Sequence, residues 1–237
     1  MGERLSTFLT WLLRGLMALG GVALVVVAWP VMRGALEAQR ADTVVNQIRN
    51  SRQLSLPNVV RAVDALDRAV AADPVAGRRL QRAEVTINAA LSTRLQASPE
   101  QRLAWMKQAK DDLDRGLAEA PARGMDWLRL AIARQGLDGV SRDVVPPLMM
   151  SIETAPMFAP IWEPRLRVIL DNWGYFTEEQ RLEIRRYILK TWRHTDDRLW
   201  FGRVVRNPID ELILRHVLRD EPGALEELAK WIRHLRN

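Results

Sequence analysis

From Gly15 to Met32 the chain carries no charged residue, and the run GLMALGGVALVVVAWPVM is bounded by Arg14 and Arg33. At about 1.5 Å per residue its 18 residues cover about 27 Å, close to the hydrocarbon thickness of a bilayer. Apolar residues run all round the helix that this stretch predicts, whereas a core helix of a soluble protein shows one apolar stripe. Trp11 and Trp29 stand near its two ends, where membrane-interface aromatics sit. A cleaved secretory signal needs a small-x-small site soon after the apolar run. Trp29, Pro30, Val31, Met32 and Arg33 are bulky, cyclic or charged, so the expected element is an uncleaved anchor helix.

After Arg33 the pattern changes. Apolar residues recur at three and four, as in Val59, Val63, Leu66 and Val70, or Leu182, Leu189 and Trp192, with no convincing strand-like alternation. Capping signals punctuate these stretches. Ser98-Pro99-Glu100-Gln101 and Thr177-Glu178-Glu179-Gln180 offer an N-cap oxygen and a Gln three residues on. Asn207-Pro208-Ile209-Asp210 places an acid in a first turn, and Asp220-Glu221-Pro222 predicts the start of a last helix. The predicted fold is all-α, with about ten helices after the anchor. Its expected organisation is an anchor over 1–33, a juxtamembrane helix or linker over 34–56 that continues the anchor, and a helical domain over 57–237.

Within that domain a spacing recurs. Ala62, Leu66, Ala69 and Pro74 are separated by four, three and five residues. Ala109, Leu113, Gly116 and Pro121 repeat it, and Val144, Leu148, Ser151 and Pro156 repeat it with a larger first residue. Six residues after these prolines come Leu80, Trp127 and Trp162. Small residues let two helices approach, the large one fills the groove between them, and Pro ends the helix. This pattern resembles the tetratricopeptide repeat, whose second helix carries small, large, small and Pro at this spacing and whose first helix carries Trp at that offset. The resemblance covers residues 57–170. Pro121 to Pro156 spans 35 residues against a family period of about 34, and Pro74 to Pro121 spans 47. Further on, Arg185 stands at a small position and Lys190 at the Pro position, so the repeats are degenerate. The resemblance implies a solenoid of helical hairpins that binds protein partners, and it implies no reaction.

Charge adds a second theme. The chain is 237 residues long with a net charge of +6, and 31 of its 35 basic residues are Arg. Residues 181–206 hold eight basic and three acidic side chains, interleaved with Trp192, Trp200 and Phe201. Either this is a solvated face over buried aromatics, or Arg185, Arg186, Lys190 and Arg193 form a site for an acidic polymer, an anionic headgroup or a partner. Nucleic acid is not an expected partner of a membrane-tethered chain. The absence of Cys excludes disulfides, thiolate zinc sites, iron–sulfur clusters and a Cys nucleophile. His194, His216 and His234 have no paired metal spacing, and the neighbours of His216 predict a partly buried side chain. No phosphate loop, dinucleotide fingerprint or nucleophile elbow is present, so neither cofactor nor catalytic residue is expected.

Basic residues flank the apolar run on both sides, but long domains translocate largely regardless of charge. The expected placement is therefore a single-pass protein of a bacterial inner membrane with a periplasmic helical domain. Small anchored proteins with Arg-rich, tetratricopeptide-like domains resemble accessory components of bacterial exopolysaccharide synthesis and export. That similarity implies a scaffold that recruits membrane or envelope proteins. The alternatives are a binding module for an anionic polysaccharide or lipid headgroup, and an unrecognised hydrolase.

Overall fold

The apolar run and the residues after it form one helix. The computed structural model describes residues 2–236, with side chains from Trp11 to Leu235 apart from Leu12. All regular structure among the described residues is helical. Two compact units are present, Met1–Ala97 and Ser98–Asn237.

The first unit contains α1 (Gly2–Gln39), α2 (Asp42–Arg49), α3 (Leu56–Ala72) and α4 (Ala76–Leu91). Over Leu13–Gln39, α1 is long and apolar enough to cross a membrane, with a mean hydropathy of 2.1 over an 18-residue window of which nothing is buried. Trp11 and Trp29 are both exposed, and the Arg14 guanidinium lies 5.6 Å from the Trp11 ring. The last turns of α1 are held on α3 and α4. Gly34 is buried, and a Cβ there would lie 3.1 Å from the Ala69 carbonyl and collide with the Arg78 guanidinium. Arg78 in turn donates to the Val31 carbonyl at 2.8 Å and pairs with Asp73. The Glu37 carboxylate accepts from Arg40 at 2.8 Å and from Arg68 at 3.0 Å.

The polar continuation expected over 34–56 is interrupted. The helix stops at Gln39, turns through Arg40 and Ala41, and resumes as the short α2. A straight helix would carry Ala41, Val44 and Val45 into water, whereas the turn buries all three. Their burial, at about 25 cal/mol per Å² of apolar surface, outweighs the few backbone hydrogen bonds lost at the break.

The second unit is built from α5 (Pro99–Glu119), α6 (Gly124–Asp138), α7 (Val145–Thr154), α8 (Trp162–Asp171), α9 (Glu178–His194), α10 (Leu199–Val204), α11 (Pro208–Leu218) and α12 (Ala224–Arg236). Its capping residues act as their types dictate. Ser98 Oγ accepts from the Gln101 amide, Thr177 and Gln180 form a reciprocal capping box, and Asn207 Oδ1 accepts from two amides. The last helix begins at Ala224, later than the sequence suggests, because Gly223 adopts φ 71° just before it.

The residues of the recurring spacing share one local geometry. Each of α3, α5 and α7 stops two residues before its proline. Asp73, Ala120 and Ala155, the residues before those prolines, all leave the helical region, as the proline ring requires. Their amides close the helix on Ala69, Gly116 and Ser151 at 3.0, 2.9 and 3.2 Å. Ala62, Leu66, Ala109, Leu113, Val144 and Leu148 are buried, as are the three small positions, while the prolines are exposed. Trp127 and Trp162 donate their indole N–H to the carbonyls of Pro121 and Pro156 at 2.7 and 3.3 Å. Leu80, six residues after Pro74, has no such donor.

Small residues set the approach between elements. The α6 start abuts the α7 end: a Cβ on Gly124 would lie 2.3 Å from Ala155 Cβ and 3.0 Å from its backbone nitrogen. Gly124→Ala should therefore cost about 1–3 kcal/mol, despite the better helix propensity of Ala. Ala155→Gly in the same chain should restore part of the loss. Denaturant midpoints of the four chains of that cycle measure the coupling, and strict additivity would remove the contact as the cause.

Candidate functional site

On α9 the basic residues of the expected site separate by partner. Ile184, Tyr187, Ile188, Thr191 and Trp192 point inward. Arg186 and Lys190, four apart, fall on the exposed side with Arg193 and Leu182. Arg185 is half-buried and pairs with Asp220 at 2.5 Å. Arg193 forms a two-pronged pair with Glu221. The Arg193 hydrogen bond is the main reason the Glu221 carboxyl titrates below its usual range. The pair's contribution is therefore present at neutral pH and fades as pH falls through that lowered value.

Arg198 pairs with Glu227 at 2.6 Å, Arg203 with Glu163 at 2.9 Å and Arg181 with Glu178 at 2.5 Å. Arg186 and Lys190 are thus the members of the predicted quartet whose charge meets no acidic side chain among the described residues. The interleaved aromatics are core: Trp192, Trp200 and Phe201 are buried, with Phe201 stacked on Trp200 at 4.0 Å and edge-on to Trp192 at 4.8 Å. His216 is exposed, contrary to the partly buried side chain expected, because α11 buries Asp210, Ile213, Leu214, Val217 and Leu218 on its opposite side.

Among the described residues the most buried cation lies outside the basic stretch. Arg165 on α8 is fully buried, and no carboxylate is among its hydrogen-bond partners within the described residues. Its guanidinium donates to the Ser151 carbonyl at 2.7 Å, the Ser151 hydroxyl at 2.9 Å, the Ala155 carbonyl at 3.1 Å and the Tyr187 hydroxyl at 3.1 Å. It also lies 5.2 Å from the Tyr187 ring. Two of these acceptors are carbonyls at the end of α7, where the helix dipole favours a cation. Burial raises the Tyr187 phenol above its ordinary range. The Ser151 hydroxyl passes its own proton to the Gly124 carbonyl at 2.7 Å, so one connected network joins α6, α7, α8 and α9.

A signal for Arg165 existed. It lies three residues after Trp162, as Leu130 lies three after Trp127. The register therefore places it at an inward-facing position.

A second polar feature belongs to the first unit. A cavity of about 530 Å³ opens beside the turn between α1 and α2, lined by Arg40, Arg61, Arg68, Asn58, Asp64 and Thr43 among others. Nothing in the sequence spacing joins Arg40 to Arg61 and Arg68; the packing of α1 and α2 on α3 does. Among the described residues, no three His, Asp or Glu side chains gather as a metal site. Comparison with protein-family models, with curated proteins and with solved structures finds no match to this chain.

Proposed function

We propose that this chain is a single-pass membrane protein whose helical units recruit other envelope proteins, with a tetratricopeptide-like array as the binding element. The observation that carries the reading is α1. Its apolar window is exposed throughout, yet its last turns are clamped on α3 and α4 through Gly34, Glu37 and Arg78. In water such a surface is costly, and a bilayer supplies the apolar surroundings it needs. The clamp makes the anchor and the first unit one piece, so whatever that unit holds is kept at the membrane surface. The tetratricopeptide reading draws support from the cap geometry shared by α3, α5 and α7 and from the matching indole bonds of Trp127 and Trp162. Assembly or export of an envelope polysaccharide is the process we attach to it, as the resemblance implies.

A second reading keeps α9 as an anion-binding face. What favours it is the exposure of Arg186 and Lys190 without an acidic partner. Arg186→Gln with Lys190→Gln separates the two. The pair should leave the melting temperature nearly unchanged, because exposed charges contribute little to stability. On the scaffold reading, proteins that co-purify with the chain from detergent extracts after crosslinking are the same for this variant and the wild type. On the anion reading, retention on an acidic polysaccharide column falls, and wild-type retention weakens as salt rises. A chain that captures no protein reproducibly from its native membrane removes the scaffold reading.

A further inference from the structure

We propose that the cavity beside the α1–α2 turn is a binding site for a phosphate group, carried by an anionic lipid of the bilayer that α1 enters. The inference rests on the membrane reading of α1. Arg33 is the first charge after the apolar run, and Arg40 follows it by seven residues, about 10 Å along the axis. A modest tilt of the helix lowers the cavity further toward the headgroups. Three arginines line it, Arg40, Arg61 and Arg68, against a single acid among the described lining residues, Asp64. Planar guanidinium forks match the oxygens of a phosphate in pairs, which a cluster of ammonium groups cannot do.

The three cations are held differently. Arg40 and Arg68 share the Glu37 carboxylate, while Arg61 is steadied, among the described residues, by the Asn58 side-chain oxygen alone at 2.6 Å. Arg61 is thus free to turn onto an incoming anion, and Glu37 competes with that anion for the other two. The negative surface potential of an anionic leaflet draws such a cluster toward the headgroups. Bound lipid would brace the turn that fixes the first unit to its anchor.

The competition supplies a test with two signs. Native mass spectrometry is run on the full chain released from micelles holding equal dioleoylphosphatidylglycerol and dioleoylphosphatidylcholine. The wild type should retain the phosphatidylglycerol preferentially. Arg61→Gln should lower that preference about tenfold, the loss expected for a hydrogen bond to a charged group. Among the described residues Arg61 has Asn58 as its hydrogen-bond partner, so this variant should keep the wild-type melting temperature. Changing Arg40, Arg61 and Arg68 together to Gln should abolish the preference. Glu37→Gln should raise it, because two guanidinium groups lose their internal partner.

A preference unchanged by Arg61→Gln and by the triple change overturns the site. Soluble glycerol phosphate retained as strongly as the lipid, with the same dependence on these residues, overturns the lipid source and leaves a phosphate site. Sedimentation of the wild type with liposomes after an alkaline carbonate wash tests the membrane reading separately. A chain that stays with the liposomes but shows no phosphatidylglycerol preference loses this proposal alone.

Discussion

Arg165→Met is expected to destabilise the C-terminal unit by about 3 kcal/mol or more. Met keeps much of the length and removes the charge, so cavity formation contributes little to the difference. What it leaves behind is a set of buried acceptors. The Ala155 carbonyl loses both nitrogens that reach it, and the Tyr187 hydroxyl loses its donor. The Ser151 carbonyl still receives the Ala155 amide, so it is only partly orphaned. Each buried group left unsatisfied costs about 1–3 kcal/mol, and two are fully affected.

Against this stands the relief of a buried charge, which can make complete apolar replacement of a polar cluster neutral. Here only one member of the cluster changes, and the rest stays polar, so the penalty dominates. Arg165→Lys keeps the charge but offers one compact ammonium where the site needs a fork spanning α7 and Tyr187; it should recover only part of the loss. Urea unfolding of the detergent-solubilised chain, followed by Trp fluorescence, is a direct measurement. Seven of the nine Trp residues lie in Ser98–Asn237 and so report on this unit. A Met variant that unfolds at the wild-type midpoint would show that the network is incidental to stability.

The second large effect concerns α1. Leu24 and Val25 sit near the middle of the apolar run and are both exposed. Changing both to Arg adds about 5–7 kcal/mol to the cost of placing the helix in a bilayer, from about 2.5–3.5 kcal/mol for each Arg at a helix centre. That is enough to move most of the chain out of the membrane fraction. In water the same change removes two exposed apolar side chains and should, if anything, improve solubility. Carbonate-washed membranes should thus retain the wild type and lose the variant. If the wild type is itself released by the wash, or the variant is retained equally, α1 is not a membrane anchor.

The two effects differ in how far the sequence announces them. The apolar length of α1 is legible because a continuous apolar run is a property of consecutive residues. Arg165 is legible only through the recurring spacing, which sets it three residues after Trp162 as Leu130 follows Trp127. Charge alone argues for the surface, and its placement depends on carbonyls at the end of α7 and on a phenol from α9. The basic stretch shows the reverse error. Counted along the chain, residues 181–206 are strongly basic; folded, Arg185 and Arg193 meet Asp220 and Glu221, which lie 35 and 28 positions away. What remains of that quartet without an acidic partner among the described residues is the Arg186–Lys190 step. The cavity of the first unit was invisible in the sequence, since its three arginines come from the α1–α2 turn and from α3.

Decided by the sequence alone were the features whose causes lie within a few residues. Ser98, Thr177 and Asn207 start helices because a side-chain oxygen reaches an amide two or three positions on. Pro74, Pro121 and Pro156 end them because the ring excludes the preceding residue from the helical region. The all-α character and the apolar length of α1 follow from the same short-range rules. Tertiary structure decided the rest. It broke the polar continuation of α1 at Arg40 and Ala41, so that Val44 and Val45 could be buried. It also selected which charges are paired, which cation is buried and which arginines share a cavity. Burial and Coulomb attraction act between groups that are near in space, and distance along the chain carries no information about them until the helices have packed.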